Sequence, residues 1–390
     1  MNLLVVNAGS SSLKFDLLAM PAEQRIWGGE LQNFSKLNFS LLDYTSGQSQ
    51  PLTESDYSRG AAFVLDCIQT KFPNLKIEAV AHRVVHGGSD FYQPIKIDET
   101  NLKVLSKLSE LAPLHNPPAL FQINLIRQLY PNLAQYAVFD TSFFQTMEPA
   151  KYLYALPPEI YFHYQLRRYG FHGISHQYIA QQVYRITGKK DLRTISCHLG
   201  SGCSVASMVG LTAVDTSFGF GPQSGLMMST RAGDMDSDAL FYLMKSMDLS
   251  PSETNSLLNK KSGLFGVSQI SPNLKDLIEV YASNPKAKLA VDMYLDRVVK
   301  EIGAQISGLG GIDILTFTAG VGQRSPFSRQ KICQKLEFLG LKLDLYLNQN
   351  SLEQGQAPLK ISSQDSQIEV WIIPTGEQIQ IAREVAKLLD

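Results

Sequence analysis

The sequence predicts an α/β protein made of two related domains, and three observations lead there. Short β-rich runs alternate with helical ones along all 390 residues. The composition, 44% hydrophobic and 18% charged, is enough for more than one core in a chain of this length. A weak internal repeat relates LLVVNAGSSSLKFDLL (3–18) to TISCHLGSGCSVASMV (194–209). Both segments read as an apolar strand, a polar residue (Asn7 or His198), a Gly/Ser turn and a second strand. Two such hairpins predict two domains whose turns face each other across a cleft.

Taken in order, strands are expected at Asn2–Val6, Leu13–Ala19, Ile77–Val85 and Tyr136–Phe139, each Val-, Ile-, Leu- or Phe-rich and bounded by Gly, Asn, Ser or Pro. The domain boundary is placed at Glu148-Pro149, before the Tyr/Pro-rich KYLYALPPEIYFHY. Ser175 opens a helix, HQYIAQQVYRIT, that stops at Gly188. Strands follow at Arg193–Leu199 and Ser204–Val209. Ser250-Pro251 with Glu253 supplies an N-cap, a first-turn proline and a capping box. Pro285 opens the longest helix, and a strand at Asp313–Thr318 comes next. Ser325-Pro326 caps FSRQKICQKLEFLG, which is expected to stop at Gly340. A strand at Ile368–Ile373 and a helix, EQIQIAREVAKLL, close the chain.

Charge and cysteine content narrow the function. With 35 basic and 36 acidic residues, the chain is not expected to be disordered or to grip nucleic acid by bulk positive charge. Cys67, Cys197, Cys203 and Cys333 form no CxxC knuckle and read as reduced thiols of a cytoplasmic protein. The start, MNLLVVNAGS, has no basic n-region, and its apolar run breaks at Asn7, so neither a signal peptide nor a membrane span is expected.

Several motifs carry chemistry. Asn7-Ala8-Gly9-Ser10-Ser11-Ser12-Leu13-Lys14 gathers small residues, three hydroxyls and an ammonium in one turn, suited to phosphate oxygens although it is not a GxxxxGK[ST] loop. Gly200-Ser201-Gly202 and Gly320-Val321-Gly322 follow apolar strands but do not complete GxGxxG, so a dinucleotide fold fails on its third glycine. His82/His86 and His172/His176 invite a zinc reading that lacks the HExxH glutamate. No GxSxG elbow supports nucleophilic hydrolysis. Arg83, His115, Asp140, His172 and Arg231 each sit in apolar or glycine-flanked sequence. Singly, each has a local structural explanation: a turn cap, a satisfied loop carbonyl, a surface ion pair. Together, two arginines, two histidines and an aspartate suit a reaction between anions, in which cations screen the reactants and imidazoles donate to equatorial oxygens.

At these residues the sequence resembles the acetate kinase family. NAGSSSLK, AHRVVHGG, LAPLHNP, VFDTSF, RRYGFHGISH, HLGSGCS, VDTSFGFGPQSGLMMSTRAGDMD, SGLFGVS, FTAGVGQRS and TGEQIQIARE occur in order over residues 3 to 384. The resemblance implies the actin, heat-shock ATPase and sugar-kinase fold: two duplicated actin-like ATPase (ribonuclease H-like) domains with an interdomain cleft. The first would be 1–148, completed by the C-terminal helix 376–390, and the second 149–375. The implied activity is reversible transfer of the ATP γ-phosphoryl group to acetate, giving acetyl phosphate and ADP. The cofactor would be magnesium, with manganese as a substitute, in a cytoplasmic homodimer that engages neither nucleic acid nor membrane.

The resemblance also implies roles. Asn7 and Glu377 match magnesium-site residues. Ser10, Ser12 and Lys14 match the first phosphate turn, and His198, Leu199, Gly200, Ser201 and Gly202 the second. Arg83 and Arg231 match the pair holding acetate and the transferring group. His172 matches the transition-state stabiliser and Asp140 the catalytic carboxylate, with His115 beside them. Val85, Leu114, Phe171 and Pro222 match the pocket for the acetate methyl, and valine at 85 favours acetate over propionate by the modest margin that one methylene supplies.

The departures from the family pattern concentrate on the nucleotide side. Ser201 stands for the usual Asn, Asn273-Leu274-Lys275 for Asp-x-Arg, and Gly320-Val321-Gly322-Gln323-Arg324 for GIGEN, while FFQTM at 143–147 loses a histidine. Lysine cannot stack on a purine as arginine does. Beside ATP-dependent acetate kinase, three readings therefore stay open: a propionate kinase, a different donor such as another nucleotide or pyrophosphate, and a weakened acyl-phosphate- or nucleotide-binding module.

Overall fold

The computed structural model describes residues 1–9, 12–35, 38–113, 115–351 and 357–389. They divide into two compact units, one of residues 1–142 with 376–390 and one of residues 143–375.

The first unit is built on strands β1 (Asn2–Ala8), β2 (Ser12–Ala19), β3 (Gln24–Ser35), β4 (Asn38–Asp43), β5 (Ser49–Leu52), β6 (Ala79–Val84), β7 (Ile95–Lys96) and β8 (Ala134–Phe139). Their order across the sheet is β5-β4-β3-β2-β1-β6-β8-β7. From β1 to β5 each strand runs antiparallel to the next, whereas β6 and β8 run parallel to β1. Parallel strands are buried on both faces, and β1, β6 and β8 are accordingly near-continuous apolar runs. Val64, Leu65 and Ile68 of the helix Ala61–Lys71 pack on Leu4, Val6, Phe15, Leu17 and Trp27. The helix Glu377–Leu389 returns from the far end of the chain to pack on β1, β2, β6 and β8. Arg383 fixes it there by donating to Glu23 over 2.6 and 2.8 Å.

The second unit carries β9 (Arg193–Leu199), β10 (Cys203–Val209), β11 (Thr212–Thr216), β12 (Ile314–Thr318), β13 (Leu359–Lys360) and β14 (Glu369–Ile372), ordered β11-β10-β9-β12-β14-β13. Here too the first strand pairs antiparallel with the second, and two later strands, β12 and β14, extend the sheet in parallel. The sequence repeat is thus a repeat of topology, with β1/β2 and β9/β10 as the equivalent hairpins.

Helix ends follow the cap chemistry at three places. Ser250 and Glu253 form the capping box of Pro251–Lys260, with bonds of 3.2 and 2.9 Å. Asn284 caps Pro285–Leu309, and Gly310 ends it in the left-handed region at φ 69°. Ser325 caps Pro326–Gln334.

Two helices differ from expectation. Pro326–Gln334 stops short, and a separate 3-10 turn, Glu337–Leu339, precedes Gly340. The helix expected from Ser175 begins at Gly173, behind a left-handed His172. The Ser175 hydroxyl is engaged with the His198 ring at 2.8 Å and caps nothing.

Candidate functional site

In the first unit, Arg83 leaves the end of β6 and Asp140 follows β8, on adjacent parallel strands. Arg83 Nε donates to Asp140 Oδ1 at 3.0 Å and Nη2 to Oδ2 at 2.6 Å, a bidentate fork. Glu377, the first residue of the closing helix, brings a carboxylate oxygen to 3.7 Å from Arg83 Nη1. Burial works against the guanidinium charge, but the two carboxylates hold its pKa above the ordinary arginine value.

The loop after β6 is held by Asn116, whose side chain accepts from the His86 N–H and donates to the His86 carbonyl, each at 3.0 Å. His115 stands directly before it, at the N-cap position of the helix Asn116–Leu129. Val85 is half-buried in the same loop. On the hairpin, Asn7 and Lys14 face each other in register, and Gly9 N–H donates to Ser12 O at 2.8 Å.

His82 and His86 do not converge as metal ligands. His82 Nε2 bonds Gln135 at 2.8 Å, and His86 Nδ1 accepts from Gly88 N–H at 2.9 Å. Burial pushes each ring's pKa down to about 4. The unfolded chain therefore takes up protons below about pH 6.5 that the folded chain refuses until about pH 4. Each ring is expected to withdraw about 3 kcal/mol of stability as pH falls through that window, and none above it. Urea unfolding midpoints from pH 8 to 4 check this: the decline below pH 6.5 should shrink in His82→Gln.

In the second unit, His172 stacks on His198 with centroids 4.2 Å apart, and Phe218 meets its edge at 5.2 Å. His172 has φ 57°, a left-handed conformation that costs a histidine on the order of 1–3 kcal/mol. It aims the ring at the turn after β9: a Cβ on Gly202 would stand 3.3 Å from His172 Nε2 and 3.9 Å from Arg231 Nη1. Arg231 Nη1 donates to the Pro222 carbonyl at 2.8 Å, and burial draws the guanidinium pKa down. Phe171 is buried edge-on against Phe218 at 5.4 Å. The second turn is tied by Gly200 N–H to Gly202 O at 3.1 Å and by Ser229 N–H to Ser201 O at 3.2 Å. Each unit thus presents a Gly/Ser turn at the end of its first strand, with cationic or imidazole side chains on the same unit.

The acetokinase family model matches residues 2–383. The chain belongs to the acetokinase family. It is 40% identical over 402 residues to the acetate kinase of Thermotoga maritima, covering all of this chain and 99% of that one. The crystal structure of Porphyromonas gingivalis acetate kinase superposes with a TM-score of 0.90 at 35% identity over the whole of both chains. A propionate kinase from Francisella tularensis superposes at 0.91, with 33% identity over 98% of each chain. The acetokinase chain therefore has the duplicated actin-like ATPase fold, in agreement with the repeated topology of its two sheets.

Ser10 and Leu114 lie outside the described residues. Leu199 and Leu274 are buried. Asn273 stands at the N-cap position of the helix Leu274–Glu279 without a capping bond, its amide donating to Asp276 at 3.3 Å. The Lys275 side chain is 87% exposed and reaches only to Glu279 at 3.9 Å. Gly320, Val321, Gly322, Gln323 and Arg324 form the short helix Ala319–Arg324 after β12. The Gln323 carbonyl oxygen, with its amide oriented to accept, takes the N–H groups of Ala319 and Thr375 at 3.1 Å each. The Arg324 guanidinium lies over Gly320, where a Cβ would stand 2.8 Å from it.

Sequence reasoning missed the supporting groups. Arg329 is fully buried and donates to the Gly322 and Gln323 carbonyls at 2.8 Å each, to Asn348 and to Ser351 at 2.7 Å, so it holds the end of that short helix. Ser204 bonds the His172 ring, and behind it His176 bonds Ser204 and Ser196 in turn. A serine in a strand carries no sequence signal distinguishing such a partner from an ordinary core hydroxyl.

Proposed function

We propose that this chain is an acetate kinase, transferring the ATP γ-phosphoryl group reversibly to acetate with magnesium. The observation that carries the reading is the Arg83–Asp140–Glu377 cluster at the ends of the parallel strands, in a chain of this family. Acetate is already ionised at neutral pH, so its oxygen needs no general base. The obstacle is charge: one anion must approach another in line. Arg83 and Arg231 would screen acetate and the transferring group, Lys14 and the two Gly/Ser turns the donor phosphates, and His172 Nε2 the equatorial oxygens. Asp140 already accepts from Arg83 at both oxygens, which suits orienting the guanidinium and sustaining its charge more than removing a proton.

Asn7 and Glu377 offer hard oxygen donors, an amide and a carboxylate, of the kind magnesium takes when phosphates complete its shell. When bound, the ion would neutralise phosphate charge. Val85, Phe171 and Pro222 would line the methyl pocket. We place the domain boundary at 148/149, with 376–390 completing the first domain.

The chain is further proposed to act in the cytoplasm as a homodimer. No described helix is long and apolar enough to cross a membrane. The helix Ser237–Ser246 buries none of its residues and exposes Phe241 at 65% and Tyr242 at 74%, an apolar face that a second copy would cover. Initial rates with ATP, GTP or pyrophosphate against acetate or propionate test the reading. ATP with acetate is expected to give the highest kcat/KM. A propionate or pyrophosphate maximum would move the assignment to one of the alternatives.

A further inference from the structure

His172 is supported from behind by a chain of side chains that runs into the core of its unit. Its Nδ1 lies 3.0 Å from Ser204 Oγ, and the same oxygen lies 2.8 Å from His176 Nε2. The other nitrogen of His176, Nδ1, lies 2.9 Å from Ser196 Oγ. Ser196, Ser204 and His176 are all fully buried, on β9, β10 and the helix Gly173–Thr187. Burial, and then the neighbouring His198, push the His176 pKa well below the usual value, so this ring is neutral and has a single N–H.

The far end of the chain fixes its direction. Among the described residues, the Ser196 hydroxyl bonds nothing but His176 Nδ1. If it accepted there, its own proton would be stranded in the core. If it donates, only lone pairs go unfilled, which proteins tolerate more readily. Ser196 therefore donates to His176 Nδ1, which places the His176 proton on Nε2, donating to Ser204. Ser204 must then turn its proton to His172 Nδ1. We propose that Ser196, His176 and Ser204 form a polarised relay holding His172 as the neutral ring with its proton on Nε2, the atom facing the Gly202 turn. On this view His176 and Ser204 are positioning residues for phosphoryl transfer. That consequence rests on the function proposed for His172, whereas the relay itself does not.

Nitrogen-15 NMR of the histidine-labelled full chain at pH 8, with His172 and His176 assigned through His172→Asn and His176→Gln, tests the polarity. Pyrrole-type Nε2 and pyridine-type Nδ1 signals are expected for both rings; a protonated Nδ1 on either overturns it. Kinetics test the positioning. Ser204→Ala is expected to lower kcat by about 10–100-fold, the scale for removing a partner that orients a metal-ligating imidazole. The KM for acetate should stay within about twofold, and Ser204→Thr, which keeps the hydroxyl, should recover most of the rate. An unchanged kcat in folded Ser204→Ala overturns the positioning role. Absence of acetyl phosphate formation by the wild-type chain would instead count against the function and leave the NMR result standing.

Discussion

Arg231→Ala is expected to lower kcat by about 10²–10³-fold while leaving the fold intact, the range for removing one donor aimed at developing charge. Its guanidinium stands beside the His172 ring and the Gly202 turn and donates to the Pro222 carbonyl. Losing that charged bond costs about 1.5–3 kcal/mol, so the melting transition should fall by only a few degrees. Arg231→Lys should recover part of the rate, because it restores charge without the planar fork. Steady-state kinetics beside thermal melts separate the two effects. A folded Arg231→Ala enzyme within a few-fold of wild type would strip Arg231 of its proposed role.

Asp140→Ala should be comparably damaging, for a different reason. Asp140 is buried and accepts two charge-assisted bonds from Arg83. Without it, among the described residues, Arg83 keeps only the Glu377 carboxylate at 3.7 Å, and the guanidinium can turn toward that side. We expect kcat to fall at least 100-fold and the KM for acetate to rise, since the cation proposed to bind acetate is then misaimed. Breaking a buried pair from one side commonly costs about 3–5 kcal/mol, and Glu377 should reduce that loss enough for the protein to stay folded. Asp140→Asn keeps the shape and loses the charge, so it should recover the fold more than the rate. Activity within tenfold of wild type in Asp140→Ala would contradict this role.

Much of the fold was legible because its central strands announce themselves. Asn2–Ala8, Arg193–Leu199 and Ile314–Thr318 are buried along most of their length and are short, Val-, Ile-, Leu- or Phe-containing runs bounded by Gly, Asn or Asp. The outer strands were not legible. Gly28-Gly29 looks like a turn, yet both glycines lie within β3, where a Cβ on Gly28 would strike the Asp16 carboxylate and one on Gly29 would come within 2.5 Å of the Leu42 carbonyl. Such close approach is a tertiary fact, invisible in composition. The same holds at the candidate site. Arg83 and Asp140 stand out locally, but their pairing spans 57 positions and needs two adjacent parallel strands. His172 reads as one more loop histidine until its left-handed backbone and the serine beneath it are seen. Lys275 extends into solvent with Glu279 at 3.9 Å, an orientation that its place in the motif does not reveal.

The most direct test of the account is whether the purified chain makes an acyl phosphate. Incubation with ATP, magnesium and acetate, followed by hydroxylamine trapping, is predicted to yield acetyl hydroxamate at a rate that requires all three components and collapses in Arg83→Ala. A folded wild-type chain that yields none, with acetate saturating and magnesium present, would contradict it.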